Sequence, residues 1–222
     1  METLLKLDLS RGVVDCVLTR GVIMRSNNIS RDTLETKIKL KLNIDGSGEG
    51  TIKTGIGFFD HMLILFKKHG GFDLDLTCDG DLYVDGHHTV EDIGIVLGKA
   101  FREAMGDKKG IKRYGTSYVP MDETLAMVSL DLSGRSFLVF NVDMDKKMIG
   151  DFDSELLEEF LRAFAFNGGI TLHVNLMYGS NSHHIVEGIF KALGRALREA
   201  LTVDETIKGV MSTKGVLEWL LL

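Results

Sequence analysis

The chain has 222 residues, of which 44% are hydrophobic and 26% charged, and its formal net charge at pH 7 is -6. This composition predicts a folded globular protein, and the acidic balance with scattered basic residues excludes nucleic acid as the main partner. No apolar run is long enough for a transmembrane helix, and charged residues interrupt the first 24 positions where a signal peptide would lie. With only two cysteines, Cys16 and Cys78, we expect a cytoplasmic protein without a disulfide framework.

The first structural unit covers residues 25–107, and residues 1–24 are an extension of unknown role. Alternation of apolar and polar residues predicts strands, whereas apolar residues at helical spacing followed by Gly-Gly predict helices and their ends. The predicted elements are strands at 36–44, 50–54, 72–76 and 81–85, a helix at 57–66 that ends at His69-Gly70-Gly71, and a second helix from His87 to about Met105.

A second unit, residues 119–201, repeats this order after a connector at 108–118. Eleven of the 19 positions in 87–105 are identical to those in 183–201, which indicates an internal duplication. Residues 202–222 are the tail. The predicted elements of the second unit are a hairpin of strands at 127–133 and 137–142, a helix at 155–166 that ends at Asn167-Gly168-Gly169, a strand at 170–176 and a helix from His183.

The duplication predicts an α+β fold built from two strand-strand-helix-strand-strand-helix units. Each unit needs a sheet with one face available for its helices, and the two halves should be related by an approximate two-fold axis. We therefore expect two mixed four-stranded sheets with the helices packed between or against them.

Each unit contains one His-His-x-x-Glu motif at the start of a helix: His87-His88-Thr89-Val90-Glu91 and His183-His184-Ile185-Val186-Glu187. The first His and the Glu of a motif lie about 40° apart around the helix axis, whereas the second His lies about 100° from the first. One His and the Glu can therefore share a metal ion while the other His faces a second ion. Imidazole with carboxylate is a ligand set for Mn, Fe, Ni or Zn, so the motifs predict a two-metal site.

Four segments in this order resemble imidazoleglycerol-phosphate dehydratases of histidine biosynthesis, and the resemblance extends from Arg31 to about Leu217. The segments are Gly57-Phe58-Phe59-Asp60-His61-Met62-Leu63, residues 85–92, residues 181–187 and Ser212-Thr213-Lys214-Gly215. The resemblance implies a fold like domain 2 of ribosomal protein S5 and the removal of water from imidazole glycerol phosphate to give imidazole acetol phosphate. It also implies two Mn²⁺ ions per site and a 24-subunit assembly with sites between subunits. No Asp-x-Asp phosphatase motif adjoins these segments, which implies the monofunctional form.

The resemblance also implies roles for single residues. Glu35 matches the acid/base glutamate of the family, and His87 and Glu187 are further candidates for catalysis. The matching metal ligands are His61, His87, His88, Glu91, His183, His184 and Glu187. The matching substrate-binding residues are Glu35, His61, His87, Glu91, Arg113, Arg135, His183, Lys191, Ser212, Thr213 and Lys214.

The implied reaction needs what these residue types supply. The C–H bond to be broken in the side chain of the substrate is barely acidic, so metal ions that bind the ring as imidazolate would serve as Lewis acids and as a template. A carboxylate such as Glu35 would then transfer protons. Taken singly, Glu35 could be a surface residue and Arg113 and Lys214 solvated charges, but clustered cations are the usual way to hold a phosphate dianion.

The chain departs from the family at one position. Alignment of the two halves places Glu159 opposite His61, where many family members have a metal-binding His. Because Mn²⁺ accepts oxygen ligands readily, we predict that Glu159 binds a metal. The alternatives are that His173 substitutes from the next strand, that water takes this place, or that Glu159 is a solvated helix residue.

Two further classes of function agree with the motifs alone. A metal-storage or metal-sensing protein would have saturated metal spheres, whereas a catalyst keeps open positions. A dinuclear hydrolase would need a metal-bound water as its nucleophile.

Overall fold

The computed structural model describes residues 25–145 and 147–217, together with the backbone of two short paired strands, β1 (Leu18–Thr19) and β2 (Val22–Ile23). The rest of the extension at 1–24 lies outside the described residues. Within the described part, no helix is long and apolar enough to cross a membrane. The remaining elements are β3 (Ser26–Asp32), β4 (Thr36–Asn43), β5 (Ile52–Lys53), α1 (Gly57–Gly70), β6 (Asp73–Gly80), α2 (His87–Ala104), β7 (Tyr114–Met121), β8 (Thr124–Asp131), β9 (Phe137–Asn141), β10 (Met148–Ile149), β11 (Phe152–Asp153), α3 (Leu156–Gly168), β12 (Thr171–Tyr178) and α4 (Ser182–Leu201).

The first sheet has the strand order β3-β4-β6-β5. Strand β4 alternates as the sequence predicts: Ile38, Leu40 and Leu42 are buried on one face, and the lysines between them are exposed on the other. Strands β3 and β6 run antiparallel to β4, whereas the short β5 runs parallel to β6. The sheet is therefore mixed, with one face in the core.

The second sheet repeats this arrangement with the order β7-β8-β12-β9. Strands β7 and β12 run antiparallel to β8, and β9 runs parallel to β12. The expected α+β class with two mixed four-stranded sheets is confirmed. A pair of short strands, β10 and β11, adds a hairpin between β9 and α3.

The order of strands within each half differs from the expected one. Residues 81–85, expected as a strand, form a turn, and the fourth strand of the first sheet is instead β3. Likewise β8 and β9 do not form a hairpin, because both pair with β12, and the fourth strand is β7. Strand β7 begins at Tyr114, within the segment expected to connect the halves. Each half is thus strand-strand-strand-helix-strand-helix.

The helices are exchanged between the halves. Helix α1 of the first half packs against α4 of the second, and α3 of the second packs against α2 of the first. Gly194 on α4 meets α1 so closely that a Cβ there would lie 2.5 Å from the carbonyl oxygen of Phe66. Its duplicate, Gly98 on α2, meets α3 with the same 2.5 Å approach to the carbonyl oxygen of Phe164. Matching contacts at matching positions show the approximate two-fold relation of the halves.

Aromatic side chains fill the layer between the helices. Phe66 on α1 and Phe164 on α3, which are duplicate positions, lie 6.4 Å apart between ring centroids, and Phe101 contacts both. Phe160 stacks on Phe190 of α4 at 5.3 Å. All five side chains are fully buried, so one aromatic core joins the four helices. The predicted glycine ends are also confirmed, since Gly71 and Gly169 follow α1 and α3 with φ of 66° and 65°.

Asp73 closes the loop of residues 45–50 before β5. Its Oδ1 accepts hydrogen bonds from the backbone N–H groups of Ser47 at 2.9 Å and Glu49 at 3.0 Å. Burial by itself would raise the pKa of this carboxyl, but the hydrogen bonds outweigh burial and lower the pKa. We expect Asp73→Asn to reduce the free energy of unfolding at pH 7 by about 1 kcal/mol, as measured by urea denaturation.

The difference between Asp73→Asn and the wild type should depend on pH. Because the pKa of Asp73 is lower in the folded than in the unfolded chain, its contribution is present above the unfolded-state pKa and is lost as pH falls through the folded-state pKa. A difference that stays constant from pH 7 to pH 3 would contradict this assignment.

Candidate metal centre

Three predicted ligands meet where α1 packs against α4. His61 comes from the second turn of α1, and His183 and Glu187 lie one turn apart on α4. Glu187 Oε2 lies 3.2 Å from His183 Nε2 and 3.7 Å from His61 Nε2. One ligand atom from each of these residues lies within 4.8 Å of the other two, which is the spacing a single metal ion requires. Two imidazoles and one carboxylate form a mixed N/O ligand set.

The neighbours of Glu187 keep it charged. Its side chain is only 8% exposed, and its second oxygen accepts a hydrogen bond from Lys191 Nζ at 2.6 Å. Burial would raise the pKa of Glu187, but Lys191 and His183 together outweigh burial and lower the pKa. At the start of α4, Asn181 Oδ1 caps the helix by accepting from the N–H groups of His183 and His184. The group is therefore an ionised carboxylate with two imidazoles on a fixed helix end.

The corresponding group at the α2 and α3 contact is less closely gathered. His87 Nε2 lies 3.8 Å from Glu91 Oε2, one turn along α2. Glu159, on α3, lines the same cavity of about 690 Å³ as His87. Among the described residues, only the group on α1 and α4 has three ligand atoms in close mutual reach. The metal-free arrangement thus brings His87, Glu91 and Glu159 to one region without closing them around a point.

The side chain of His173 lies on the other side of the second sheet. On β12 it alternates with Leu172 and Val174, which are fully buried against the helices, and it is itself exposed beside Ser129 and Val139. Because successive side chains of a strand face opposite sides, His173 faces away from the helix layer that contains the other predicted ligands. This placement favours Glu159 over His173 as the eighth ligand.

The second histidine of each motif has a carboxylate on its Nδ1 atom. His88 Nδ1 lies 3.0 Å from Asp81 Oδ2, and His184 Nδ1 lies 2.7 Å from Glu123 Oε2. In both cases this hydrogen bond is the largest cause of a raised histidine pKa. Such a carboxylate fixes the ring orientation and leaves Nε2 as the free nitrogen, as is typical of histidines that bind metals.

Glu35 and Glu123 occupy duplicate positions but have different surroundings. Glu123 accepts hydrogen bonds from the N–H groups of Asn181 and Ser180 and contacts His184, and these contacts strongly lower its pKa. Glu35 has no such set of donors: its side chain is 55% exposed, and its Oε1 lies 3.7 Å from His88 Nε2. Glu123 is therefore a fixed structural carboxylate, whereas Glu35 faces the open side of His88.

The predicted cationic residues gather at the opposite end of β8. The Arg113 guanidinium makes a two-pronged contact with Asp131, at 2.6 and 2.9 Å, and donates to the carbonyl oxygen of Met211 at 2.5 Å. Asp131 raises the pKa of Arg113 and also lies 3.9 Å from Arg135. Since Met211 precedes Ser212, Thr213 and Lys214, this contact brings the predicted phosphate-binding tail to the two arginines.

Several residues of the centre were missed by the sequence analysis. Asp81, Asp122 and Asp131 belong to no motif, and they contact His88, His184 and the arginines only because turns and strand register bring them there. Glu123 could have been found from one feature of the sequence, because Glu123-Thr124 repeats Glu35-Thr36. Lys191 was predicted to bind substrate, but in this structure it is paired with Glu187.

The fold and site together define a class: a duplicated α+β protein with clusters of histidine and carboxylate side chains at the exchanged helix contacts and a separate cluster of cationic side chains near residues 211–214. Comparison with known proteins identifies the family. Residues 54–197 match the family model of imidazoleglycerol-phosphate dehydratase. The chain is 62% identical over 193 residues to that dehydratase from Clostridium novyi (strain NT), covering 87% of this chain and 98% of the relative. It is 61% identical over 193 residues to the one from Acetivibrio thermocellus, covering 87% and 99%.

Solved structures agree with this match. The crystal structure of the dehydratase from Staphylococcus aureus subsp. aureus N315 is similar with a TM-score of 0.73 and 45% identity, over 80% of this chain and 99% of that one. The enzyme from Pyrococcus furiosus in complex with (S)-C348 gives a TM-score of 0.74 and 40% identity, over 85% and 100%. The chain belongs to the imidazoleglycerol-phosphate dehydratase family. It is a hydro-lyase of histidine biosynthesis, and the predicted family and enzyme class are confirmed.

The paired carboxylates should set the titration of the two second histidines separately. In metal-free protein, Asp81→Asn should lower the pKa of His88, because the carboxylate that stabilises the charged imidazole is lost. Glu123→Gln should do the same for His184 and leave His88 unchanged. Deuterium exchange at the imidazole C2 position, followed by mass spectrometry between pH 5 and pH 9, measures both values. An unchanged pKa of His88 in Asp81→Asn would contradict the assignment.

Proposed function

We propose that this chain converts imidazole glycerol phosphate to imidazole acetol phosphate and water at a site that holds two Mn²⁺ ions. The main support is the close group of His61, His183 and Glu187, whose ligand atoms are already spaced for one ion. Family membership supports the choice of reaction.

The residues present fit two metal ions. The first would be held by His61, His183 and Glu187, and the second by His87, Glu91 and Glu159, with His88 and His184 each offering Nε2 in another direction. Glu187 is buried, charged and matched by nearby imidazoles, a donor set that favours a divalent cation over water. Two Mn²⁺ ions held by these residues would supply Lewis acidity that favours the imidazolate form of the substrate, whose electrons promote loss of the hydroxyl from the carbon beside the ring.

Glu35 is the group that moves protons. It is half-exposed at the tip of the turn between β3 and β4, beside His88, where a substrate that reaches the histidines also reaches its carboxylate. Glu35 takes the proton from the second carbon of the side chain, and the hydroxyl on the carbon beside the ring leaves with a proton as water. The C–H electron pair becomes the new double bond, and the resulting enol becomes the ketone by proton transfer to carbon.

The phosphate is held by the cationic cluster of a neighbouring copy, because within one chain this cluster lies at the opposite end of β8 from Glu123 and His184. Arg113 uses three of its five N–H donors on Asp131 and Met211, so it fixes the tail segment and keeps donors for the phosphate. Arg135, with a side chain that is 52% exposed, and Lys214 in the turn at Ser212 and Thr213 offer the accessible charge and hydrogen-bond donors. Lys191 pairs with Glu187 and keeps this carboxylate charged. The Lys191 ammonium group is thereby held beside the proposed metal ligands, where it can also contact the substrate.

Copies of this chain complete each other's sites in the proposed assembly of 24 subunits. Each ligand group within one chain offers three ligands. His88 and His184 lie about 100° from the first histidines around the same helices, so their metal sites would be completed by a neighbouring copy. Large apolar side chains surround the outward-facing carboxylates: Leu34 adjoins Glu35, and Tyr83 lies in the turn after Asp81 with 91% of its surface exposed. Burial of such side chains favours self-association at this end of the molecule.

Activity should depend on the metal and on its ligands. Chelator-treated protein should not dehydrate imidazole glycerol phosphate, and added Mn²⁺ should restore product formation, measured as the appearance of the ketone. His184→Ala should lower kcat by more than tenfold, because it removes a ligand, whereas the exposed loop residue Glu49, altered to Gln, should leave kcat unchanged. Full activity without metal, or a loss in His184→Ala below tenfold, about 1.4 kcal/mol, would contradict the proposal.

Substitutions at Glu159 and at His173 should have different effects on the amount of bound Mn²⁺. Glu159→Gln should reduce bound Mn²⁺ from about two ions per chain towards one, because the amide is a poorer ligand than the carboxylate. His173→Gln should leave the metal content unchanged, because His173 faces away from the helix layer. Elemental analysis of both purified variants decides the matter: if only His173→Gln loses metal, Glu159 is not the ligand.

A further inference from the structure

A buried polar cluster lies directly beneath Glu35 and His88. Asp92 on α2 is 6% exposed and Thr36 on β4 is 1% exposed. Asp92 Oδ2 accepts a hydrogen bond from Thr36 Oγ1 at 2.5 Å, and its Oδ1 accepts one from Arg31 Nη2 at 2.7 Å. Neither Asp92 nor Arg31 belongs to any ligand or substrate contact described above.

The cluster fixes the register between the helix and the turn that presents Glu35. His88 and Asp92 lie one turn apart on the same face of α2, and Glu35 and Thr36 are consecutive at the start of β4. One contact, Thr36 to Asp92 at 2.5 Å, is therefore next to the other, Glu35 to His88 at 3.7 Å. Because the first contact is buried and short, it determines how far the Glu35 carboxylate stands from the imidazole.

The turn itself has little else to hold it in place against α2. The Thr33 hydroxyl accepts from the backbone N–H groups of Glu35 and Thr36, which fixes the shape of the turn. A further bond, from the N–H of Asp81 to the carbonyl oxygen of Glu35, links the turn to its neighbouring loop. Apart from the approach of Glu35 to His88, the contact of this turn with α2 is the hydrogen bond from the Thr36 hydroxyl to Asp92.

The second half of the chain lacks this cluster. Thr124 and Glu123 repeat Thr36 and Glu35, but the position of Asp92 is Gly188, and the register of β7 against β8 puts Val119 at the position of Arg31. In that half Glu123 is held directly by backbone N–H groups and is not free. The polar cluster is thus present only where the glutamate is left available for chemistry.

Stability does not require the charged pair. A buried ion pair gains little over well-packed apolar residues of similar size, because taking both charges out of water offsets their attraction. The second half folds into the same sheet and helix arrangement with Val119 and Gly188 in these places. The pair in the first half therefore needs a reason other than folding.

We propose that Arg31 and Asp92 are positioning residues that act through Thr36 to hold the Glu35 carboxylate at His88 for proton transfer. The inference rests on the proposed role of Glu35. Asp92 fixes the Thr36 hydroxyl, Arg31 fixes the Asp92 carboxylate, and Thr36 sets the position of the residue before it. None of the three contacts the substrate.

The decisive variant replaces Arg31 and Asp92 with small apolar residues, in imitation of the equivalent positions of the second half. Arg31→Val combined with Asp92→Ala should keep or raise the melting temperature, because it replaces an ion pair whose carboxylate is buried with apolar side chains. It should nevertheless lower kcat by about 10- to 100-fold, since misplacement of a reacting group by about 1 Å has effects of this size. The KM for imidazole glycerol phosphate and the Mn²⁺ content should change by less than about threefold. Wild-type kcat in a stable double variant would overturn the proposal.

Thr36 provides a second, matched test. Thr36→Val keeps the shape of the side chain and removes the hydroxyl, so kcat should fall, whereas Thr36→Ser should recover most of that loss. Thr51→Val removes another threonine hydroxyl bonded to an aspartate, Asp75, at the far end of the sheet, and should leave kcat unchanged. A metal-free crystal structure of Thr36→Val should show the Glu35 carboxylate displaced from His88 by about 1 Å or more. An undisplaced Glu35, or equal loss in the Val and Ser variants, would overturn the proposal.

Combination with Glu35→Gln separates this inference from the proposed function. If Thr36 acts through Glu35, then Thr36→Val should cause no further loss in a Glu35→Gln background. An inactive Glu35→Gln enzyme with a fully active Arg31→Val/Asp92→Ala variant would refute only the positioning role. An unimpaired Glu35→Gln enzyme would refute the role of Glu35 and the positioning role with it, and a wild type that does not dehydrate the substrate would refute the proposed function.

Discussion

The site depends on how closely two pairs of helices approach each other. At Gly98 and Gly194 a Cβ atom would lie 2.5 Å from a carbonyl oxygen of the facing helix, so only glycine permits the observed separation. The same separation governs the side chains about two turns earlier on each pair, where His61 faces His183 and Glu187. Core packing and ligand spacing are therefore a single constraint, and a change that pushed the helices apart would open the metal group before it exposed the core.

The two halves have the same arrangement of strands and helices, but their equivalent glutamates have different surroundings. In one half the glutamate of the turn, Glu123, is held by backbone donors and orients His184. In the other half Asp81 orients His88, and Glu35 is left half-exposed. The buried carboxylate of Asp92 beneath Glu35 is costly to desolvate, and the other half has glycine at this position. The two copies of the motif therefore differ in whether the glutamate is fixed by backbone donors or left half-exposed.

Much of this arrangement could be predicted because the signals are local and repeated. Helix positions, glycine ends and the ligand motifs depend on residues a few positions apart, and the duplication supplied each of them twice. The pairing of β9 with β12 rather than β8 could not be predicted, because strand partners are chosen by packing across the sheet. For the same reason the contacts of Asp81 and Asp131 could not be predicted, because they depend on the turn after β6 and on the register of β8. Asp92 lies inside a recognised motif, yet its role becomes visible only when its contact across the interior with Thr36 is known.

The exchange of helices between the halves has a consequence for the history of the chain. Because His61 lies in one half while His183 and Glu187 lie in the other, a chain of half this length could assemble such a ligand group only as a pair of identical copies. In such a pair every substitution would appear in both sites at once. Covalent joining of the two copies removes that restriction. One half can then have a buried aspartate near its glutamate while the equivalent position of the other half has a different residue.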